Sequence, residues 1–175
     1  MQWINRIRQV KILLVIAAII LSVASLVVSD FLVRDLKQEE HRKMEIWAEA
    51  MRSLNNADEN TDLTLVLQVL NSNNTIPVVV LDRDGNVHDY RNIPISDHER
   101  QNEMEVVKGK AVRMHQSGRV IRVNISSSDY MEICYDDSLL LWRLAWWPYV
   151  QLGIVLIFVV VAIFTLLSSK KAEQN

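Results

Sequence analysis

Cysteine, glycine and proline are all scarce in this 175-residue sequence, and the scarcity excludes several classes of protein. A single cysteine, Cys134, cannot form an intrachain disulfide, so a domain outside the cytoplasm needs its own core or a partner subunit. The four glycines are scattered, and the sequence contains no Gly-rich nucleotide-binding loop and no Walker motif. The formal net charge of -2 leaves no basic footprint for nucleic acid.

Charge is absent from the longest apolar stretch, which runs from Leu144 to Ser169. A helix needs about 20 mostly apolar residues to cross a bilayer, and this stretch is long enough. Aromatic residues that favour the headgroup region precede it and two lysines follow it: Trp142, Trp146, Trp147 and Tyr149, then Lys170 and Lys171. We therefore predict a transmembrane helix over 144–169. The alternative is a buried core helix, which rarely runs this long without charge.

A second apolar run, from Ile12 to Ser29, follows a short basic tail of residues 1–11 in which Trp3 is placed to anchor at the inner interface. The run exceeds the about 7–15 apolar residues of a usual signal peptide, which predicts a retained transmembrane helix over 12–29. A cleaved signal peptide is the competing interpretation, because Val23-Ala24-Ser25 resembles a cleavage site. The intact mass of the purified protein distinguishes the two.

The distribution of charge predicts the topology. Between Asp30 and Asp137 acidic residues outnumber basic ones by 20 to 13, whereas the two extremes of the chain are basic. The positive-inside tendency then places the tail and the stub of residues 170–175 in the cytoplasm. The domain between the two spans, residues 30–143, is expected on the other side of the membrane.

The first half of this domain predicts a long helix, because residues 30–55 contain neither proline nor glycine and helix formers dominate. Met44, Trp47, Met51 and Leu54 follow one another at intervals of three, four and three, as one helix face requires. The stripe has two interpretations, which the sequence leaves open: a seam between two subunits, or packing within one subunit.

The second half predicts a short helix, two hairpins and a helical connection. Asp62 is expected to cap the short helix, whose inward face is Leu63, Val66, Leu67 and Leu70. The predicted strands are 76–81, 87–91, 119–125 and 130–135, with turns at Asp82–Asn86 and Ser126–Asp129. Between the hairpins, Ser96 is expected to cap a helix that extends to Met114. We predict an α+β domain with its helices on one face of a small antiparallel sheet.

The junction between the last strand and the second span is expected to couple the domain to the membrane. Asp136, Asp137 and Ser138 are predicted to cap the final helix, which begins at Leu139. Farther on, Trp147 and Pro148 lie at the predicted membrane boundary, where Pro148 removes a hydrogen bond and favours a kink.

Two stretches of this domain resemble a known family. One is the hairpin Val78-Val79-Val80-Leu81-Asp82-Arg83-Asp84-Gly85-Asn86-Val87. The other is Tyr135-Asp136-Asp137-Ser138-Leu139-Leu140 followed by Trp146-Trp147-Pro148-Tyr149-Val150-Gln151-Leu152. With the flanking spans, they resemble the PAS-like or Cache-like sensor region of bacterial membrane histidine kinases. The resemblance covers the sensor domain and both membrane helices, and it covers no catalytic half.

The resemblance implies a homodimer in the bacterial inner membrane, with a periplasmic sensor domain and both termini in the cytoplasm. ATP, Mg²⁺ and a response regulator would meet only a kinase half that follows these residues. In these 175 residues His98-Glu99 lacks the proline that follows a phosphoacceptor histidine, and it lies in the outer domain. We therefore expect no catalytic residue and no cofactor here.

Candidates for binding are few. The four histidines, His41, His88, His98 and His115, show no metal-ligand spacing. Asp82, Asp84 and Asn86 imitate the start of a calcium loop, but its twelfth position is Ile93 instead of Glu, which favours a turn and no metal. Four polar residues, Arg113, Arg119, Arg122 and Tyr130, lie where a small molecule could bind or where a sheet face is simply exposed.

The sequence therefore supports two main hypotheses of different classes, with the input half of another receptor, such as a chemoreceptor or a cyclase, as a third option. The first is the signal-input half of a two-component sensor kinase, which passes an outside stimulus inward by small helix shifts. The second is a two-span membrane scaffold or accessory subunit that binds another protein through its outer domain. Cys134 is expected to pack in a strand and not to act as a redox sensor. The reading frame beyond residue 175 bears directly on the choice between the two hypotheses.

Overall fold

A computed structural model describes residues 2–173, and the side chains of residues 6–7, 9–165 and 167. Within residues 2–173, four α-helices and four strands follow one another: α1 (Gln2–Asn55), α2 (Thr64–Ser72), β1 (Val78–Leu81), β2 (Val87–Arg91), α3 (Glu103–Gln116), β3 (Val120–Asn124), β4 (Tyr130–Tyr135) and α4 (Leu139–Glu173). Two compact units are present. One is Leu36–Leu141, and the other is formed by the two terminal stretches, 1–35 and 142–175.

We call Leu36–Leu141 the inner unit because it lies between the two terminal stretches in the sequence. It is built on one small antiparallel sheet with the strand order β2-β1-β4-β3. Val78 is paired with Arg91 of β2 and with Tyr135 of β4. Ile121 of β3 is paired with Ile133 of β4. The predicted strands are confirmed within two residues at each end, and the α+β class is confirmed with them.

The first face of the sheet is covered by α1 and α2. Met44, Trp47 and Met51 are buried and join the core with Val78, Val80 and Ile133, while Leu54 packs against them. The ring nitrogen of Trp47 donates a hydrogen bond to the carbonyl of Leu70, 3.2 Å away, and so links the two helices. The predicted stripe therefore packs within one subunit, and it is not available as a seam.

Helix α2 turns a slightly different face inward than predicted. Leu70 is buried, and Val66 and Val69 pack against the same core. Leu67, which was expected to face inward, is 46% exposed, and Leu65 is 70% exposed. The predicted Asp62 cap is wrong by one residue: the N-cap is Leu63, which forms no side-chain cap hydrogen bond. The Asp62 carboxyl still accepts the backbone N–H of Thr64 at 2.9 Å, just before the helix.

The expectation that all helices lie on one face is wrong, because α3 covers the second face of the sheet. Val107, Ala111 and Met114 are buried against Val79, Leu81 and Cys134. The physical reason is the composition of β1. All four of its residues are apolar and buried, so both of its faces must be kept from water. The inner unit therefore has three layers: α1 with α2, the sheet, and α3.

Helix α3 begins later than the predicted cap at Ser96. The Ser96 hydroxyl donates to the Glu99 carboxyl at 2.9 Å, and the Ser96 backbone N–H donates to the same oxygen at 3.0 Å. With the Glu99 backbone N–H donating to the Ser96 carbonyl at 2.9 Å, these bonds close a turn, and the N-cap of α3 is Asn102 instead. A 3-10 turn, Arg100–Asn102, precedes the helix proper.

The other unit contains parts of α1 and α4 that pair as antiparallel helices. The Ser25 hydroxyl donates to the Gln151 side-chain oxygen at 2.9 Å, and the Ser29 hydroxyl donates to the Leu144 carbonyl at 3.2 Å. Two segments are long and apolar enough to cross a membrane, Gln9–Asn55 and Leu139–Thr165, and only 6% of the most apolar window in each is buried. A core helix would be mostly buried. Trp3, Lys170 and Lys171, predicted to mark the inner membrane face, have side chains outside the described residues.

Candidate functional site

Polar side chains meet inside Leu36–Leu141 where β4 ends and α4 begins. We call this group the junction cluster and define it by its members: Glu40, Arg119, Tyr135, Asp136, Asp137 and Ser138. Strand β4 delivers Tyr135 to the cluster, and the three residues after it form the short connection to Leu139. The cluster therefore joins the central strand to the start of the second apolar helix.

Ser138 binds two different helices at once. Its hydroxyl oxygen accepts the backbone N–H of Leu141 at 3.2 Å, which is the N-cap contact predicted for this helix. The same hydroxyl donates to the Glu40 carboxyl, and the Ser138 backbone N–H donates to the other Glu40 oxygen at 3.2 Å. Both residues are buried, with 3% and 8% of their surfaces exposed. Loss of either hydrogen bond is costly in free energy, because water does not reach the buried Glu40 carboxyl to replace it.

Arg119 bridges the two aspartates of the connection. Its guanidinium pairs with the Asp136 carboxylate and, at 3.2 Å, with the Asp137 carboxylate. Backbone hydrogen bonds hold the same place: the Tyr135 N–H donates to the Arg119 carbonyl at 3.1 Å, and the Asp136 N–H donates to the Pro77 carbonyl at 3.0 Å. One arginine with two acceptors restricts the connection more than a single surface ion pair does.

Tyr135 adds a second link to α1. Its hydroxyl oxygen lies 2.6 Å from Nδ1 of His41, whose other ring nitrogen lies 3.4 Å from Glu45. Burial raises the pKa of the Tyr135 phenol above its ordinary value. A phenol with the ordinary pKa is already protonated at neutral pH, so the hydroxyl can donate a hydrogen bond there, and the raised pKa extends this to more alkaline solution.

Three of the five residues predicted to couple the signal meet in this cluster. They are Asp136, Asp137 and Ser138. Trp147 and Pro148 belong to the other unit, where Trp147 is 69% exposed and Pro148 lies inside α4. Helix α4 is one continuous helix from Leu139 to Glu173, and Pro148 lies within it.

The sequence interpretation missed Glu40, although a signal for it was present. Glu40 precedes Met44 by four residues, so it continues the buried stripe by one further turn. A run of charged neighbours, residues 37–43, concealed that position. Its partner Ser138 is 98 residues away, and such a pairing is set by the tertiary fold.

Of the four residues considered for ligand binding, only Arg122 and Tyr130 contact each other among the described side chains. Arg119 is engaged in the junction cluster, while Arg122 pairs with Glu132 at 2.7 Å and lies over the Tyr130 ring at 4.3 Å. Arg113 is exposed on α3. A groove of about 430 Å³ lies at the tip of the second hairpin, lined by Arg83, Asn124, Ser126, Ser127, Ser128, Asp129 and Tyr130. Arg83 already donates to the Ser128 carbonyl at 2.8 Å, and it is the one basic side chain in this lining, opposite the single carboxylate of Asp129.

The remaining candidate binding residues have structural roles in a turn or in the core. Asp82 accepts the backbone N–H groups of Asp84 and Asn86, which closes the predicted turn around Gly85 at φ +78°. Cys134 is fully buried, and burial raises the pKa of its thiol to about 11. Among the described residues, no group of three or more His, Cys, Asp or Glu side chains is arranged to hold a metal ion.

Comparison with known proteins identifies no relative: no protein-family model, no curated protein and no solved structure matches this chain.

Proposed function

We propose that this chain is the signal-input module of a bacterial two-component sensor histidine kinase, anchored in the inner membrane as a homodimer. In this proposal Leu36–Leu141 is a PAS-like or Cache-like periplasmic domain, and both termini are cytoplasmic. The kinase half would follow the second span and would supply the ATP and Mg²⁺ chemistry and the contact with a response regulator. The supports are the α+β fold, the two apolar helices and the resemblance at the junction.

The Glu40–Ser138 pair is the observation that carries the proposal. It hydrogen-bonds α1 directly to the N-cap of α4, and both helices continue along the chain into apolar segments. A stimulus that displaced β4 would move Ser138 against Glu40, because only the connection of residues 136–138 separates β4 from α4. Shifts of about 1–2 Å between helices are a known means of switching.

The connection of residues 136–138 is short and restrained, so it can transmit a displacement of β4 to α4. A flexible linker would absorb a small displacement, whereas Arg119 and the backbone bonds to Pro77 and Arg119 hold residues 135–137 in place. The first turn of α4 carries Leu139 and Leu140, which are 60% and 64% exposed. These two leucines can therefore be replaced with little loss of packing in the inner unit.

The test joins this chain, after residue 175, to the kinase half of a sensor with a transcriptional reporter. The pair Leu139→Gly and Leu140→Gly should change basal output, because glycine loosens the first turn of α4 by about 1 kcal/mol per residue. The matched pair Leu139→Ala and Leu140→Ala removes the same side chains but keeps helix propensity, and it should leave output near that of the unchanged chain. If the two pairs gave equal output, the junction would not transmit.

A membrane scaffold or accessory subunit is the second candidate, and one observation favours it. Leu65 and Leu67 present apolar side chains to solvent on α2, a surface that could bind another protein. A stoichiometric partner recovered from membranes, and lost on Leu65→Ser with Leu67→Ser, would support the scaffold. Reporter output that is unaffected by the glycine pair would point the same way.

A further inference from the structure

Gln151 is the only side-chain amide in the apolar stretch from Leu144 to Ser169. It is partly buried, and its oxygen accepts the Ser25 hydroxyl of α1 at 2.9 Å. Among the described backbone and the described side chains, its amide nitrogen has no hydrogen-bond partner. If this stretch crosses a membrane, as the proposed function requires, the lipid chains offer that nitrogen no acceptor.

Gln151 lies at the border between two faces of α4. One face is turned toward its own unit: Pro148 is buried, and Leu152 and Val155 are partly buried. The other face carries Trp147, Ile154 and Phe158, which are 69%, 51% and 70% exposed. With Gln151 these three residues follow at intervals of four, three and four, the spacing of a helix–helix seam.

We infer that Gln151 is the polar contact of an interface between the second spans of two copies of this chain, formed by the face of Trp147, Gln151, Ile154 and Phe158. A twofold axis brings each Gln151 against its equivalent in the second copy. Each amide then donates one N–H of its nitrogen and accepts at the free lone pair of its oxygen, so the pair forms two N–H···O hydrogen bonds. Polar side chains of this kind hold transmembrane helices together.

The second copy fits this surface better than a different partner does. The exposed face offers two N–H donors and one remaining lone pair of the oxygen at the same position, so one amide can both donate to and accept from an identical amide. The neighbouring side chains are apolar and uncharged, so no opposite charge is needed on the partner. The inference names the partner of the proposed sensor module and rests on that proposal.

The test is cysteine cross-linking of the full chain in native membrane vesicles. The unchanged chain is the negative control and should not cross-link, because Cys134 is its only cysteine and is fully buried. Ile154→Cys lies in the proposed interface, and Leu156→Cys, 67% exposed and about 200° away around the helix, is the matched control. Oxidation should produce a disulfide-linked dimer with Ile154→Cys and little with Leu156→Cys.

Replacing Gln151 then tests the amide itself. Gln151→Leu in the Ile154→Cys chain should lower the association constant by about threefold to tenfold, read as a smaller cross-linked fraction at limiting oxidant. Gln151→Asn should restore part of the loss. Equal cross-linking at both cysteines, or a cross-linked fraction that ignores Gln151→Leu, would overturn the inference.

Alkaline washing of the same vesicles separates this inference from the proposed function. A chain that stays in the membrane but cross-links equally at both positions refutes only the interface. A chain that is washed away refutes the proposal of a membrane-spanning input module, and it therefore also refutes the proposed interface.

Discussion

At the scale of single residues, the junction cluster depends on one serine that has two functions. Ser138 caps α4 and, through the same hydroxyl, donates to Glu40 on α1. Because Ser138 and Glu40 are both buried, the loss of one partner leaves the other without water to replace it. The cap and the contact between helices are therefore lost together.

Ser138→Ala should lower the free energy of unfolding of the inner unit by about 1–3 kcal/mol, through the lost cap and the unsatisfied Glu40 carboxyl. Chemical denaturation of the full chain in detergent, followed by near-ultraviolet circular dichroism, measures the change. Ser127→Ala, at an exposed turn position, is the control and should be close to neutral. Combining Ser138→Ala with Glu40→Gln should cost less than the sum of the two single changes; strict additivity would show that the residues do not interact.

Cys134 should be chemically inert while the protein is folded. Burial raises the pKa of its thiol from an ordinary 9.0 to about 11, so the folded protein holds about a hundredfold less thiolate at pH 8 than an exposed cysteine does. Alkylation at pH 8 should be slow before denaturation and fast after it, with an Asn86→Cys thiol as the reactive control in the same chain.

The same shift has a consequence for stability at alkaline pH. Between about pH 9 and 11 the unfolded chain releases the thiol proton and the folded chain retains it. The contribution of Cys134 to stability is therefore complete below pH 9 and declines as the pH rises toward 11. Cys134→Ala should show a shallower alkaline decline; an unchanged slope would contradict the raised pKa.

At the scale of secondary-structure elements, β1 decides the layering. A strand of four buried apolar residues in the middle of the sheet needs cover on both faces, and α3 provides the second cover. The sequence of β1 already contained this requirement. What it lacked was any indication of which helix would meet it, because α3 is amphipathic only in part: Val107 is buried and Val112 is 48% exposed.

Those two valines provide a matched test of the second layer. Val107→Ala should destabilise the inner unit by about 1–3 kcal/mol, because it leaves a cavity against β4 and β1. Val112→Ala makes the same chemical change on the same helix and should alter stability by less than about 0.5 kcal/mol. Thermal or denaturant unfolding of both variants decides the matter, and similar losses would mean that α3 does not pack on the sheet.

At the scale of the whole molecule, the proposed function depends on which side of a membrane Leu36–Leu141 would lie. Two segments are long and apolar enough to cross, and within their own unit α1 and α4 run antiparallel. Two antiparallel spans would place both ends of the chain on the same side of the membrane. The basic residues at both ends of the sequence favour the cytoplasm for that side.

Thiol labelling in intact cells tests this topology. Asn86→Cys, at the exposed tip of the first hairpin, should react with a reagent that cannot cross the inner membrane. Ala172→Cys should react only after the cells are opened, since the C-terminal end is expected inside. Protection of the residue 86 thiol in intact cells would place the domain in the cytoplasm and end the sensor proposal.

Much of this architecture follows from the sequence alone, because local physics determines it. The charge-free stretch from Leu144, the stripe from Met44 to Leu54 and the Asp-Gly turn at Gly85 each reflect a period or a backbone preference that neighbouring residues reveal. The Ser138 cap belongs to the same class, since an N-cap is a contact over three residues.

Only the tertiary structure decided how the polar residues are partnered. Glu40 with Ser138, Arg119 with Asp136 and Asp137, and His41 with Tyr135 join residues that are 17 to 98 positions apart. Periodicity and propensity act over one or two helical turns, so they cannot choose among distant partners of similar chemistry. The sequence by itself determined the elements and the apolar faces, whereas the packing of those faces determined which buried polar groups meet.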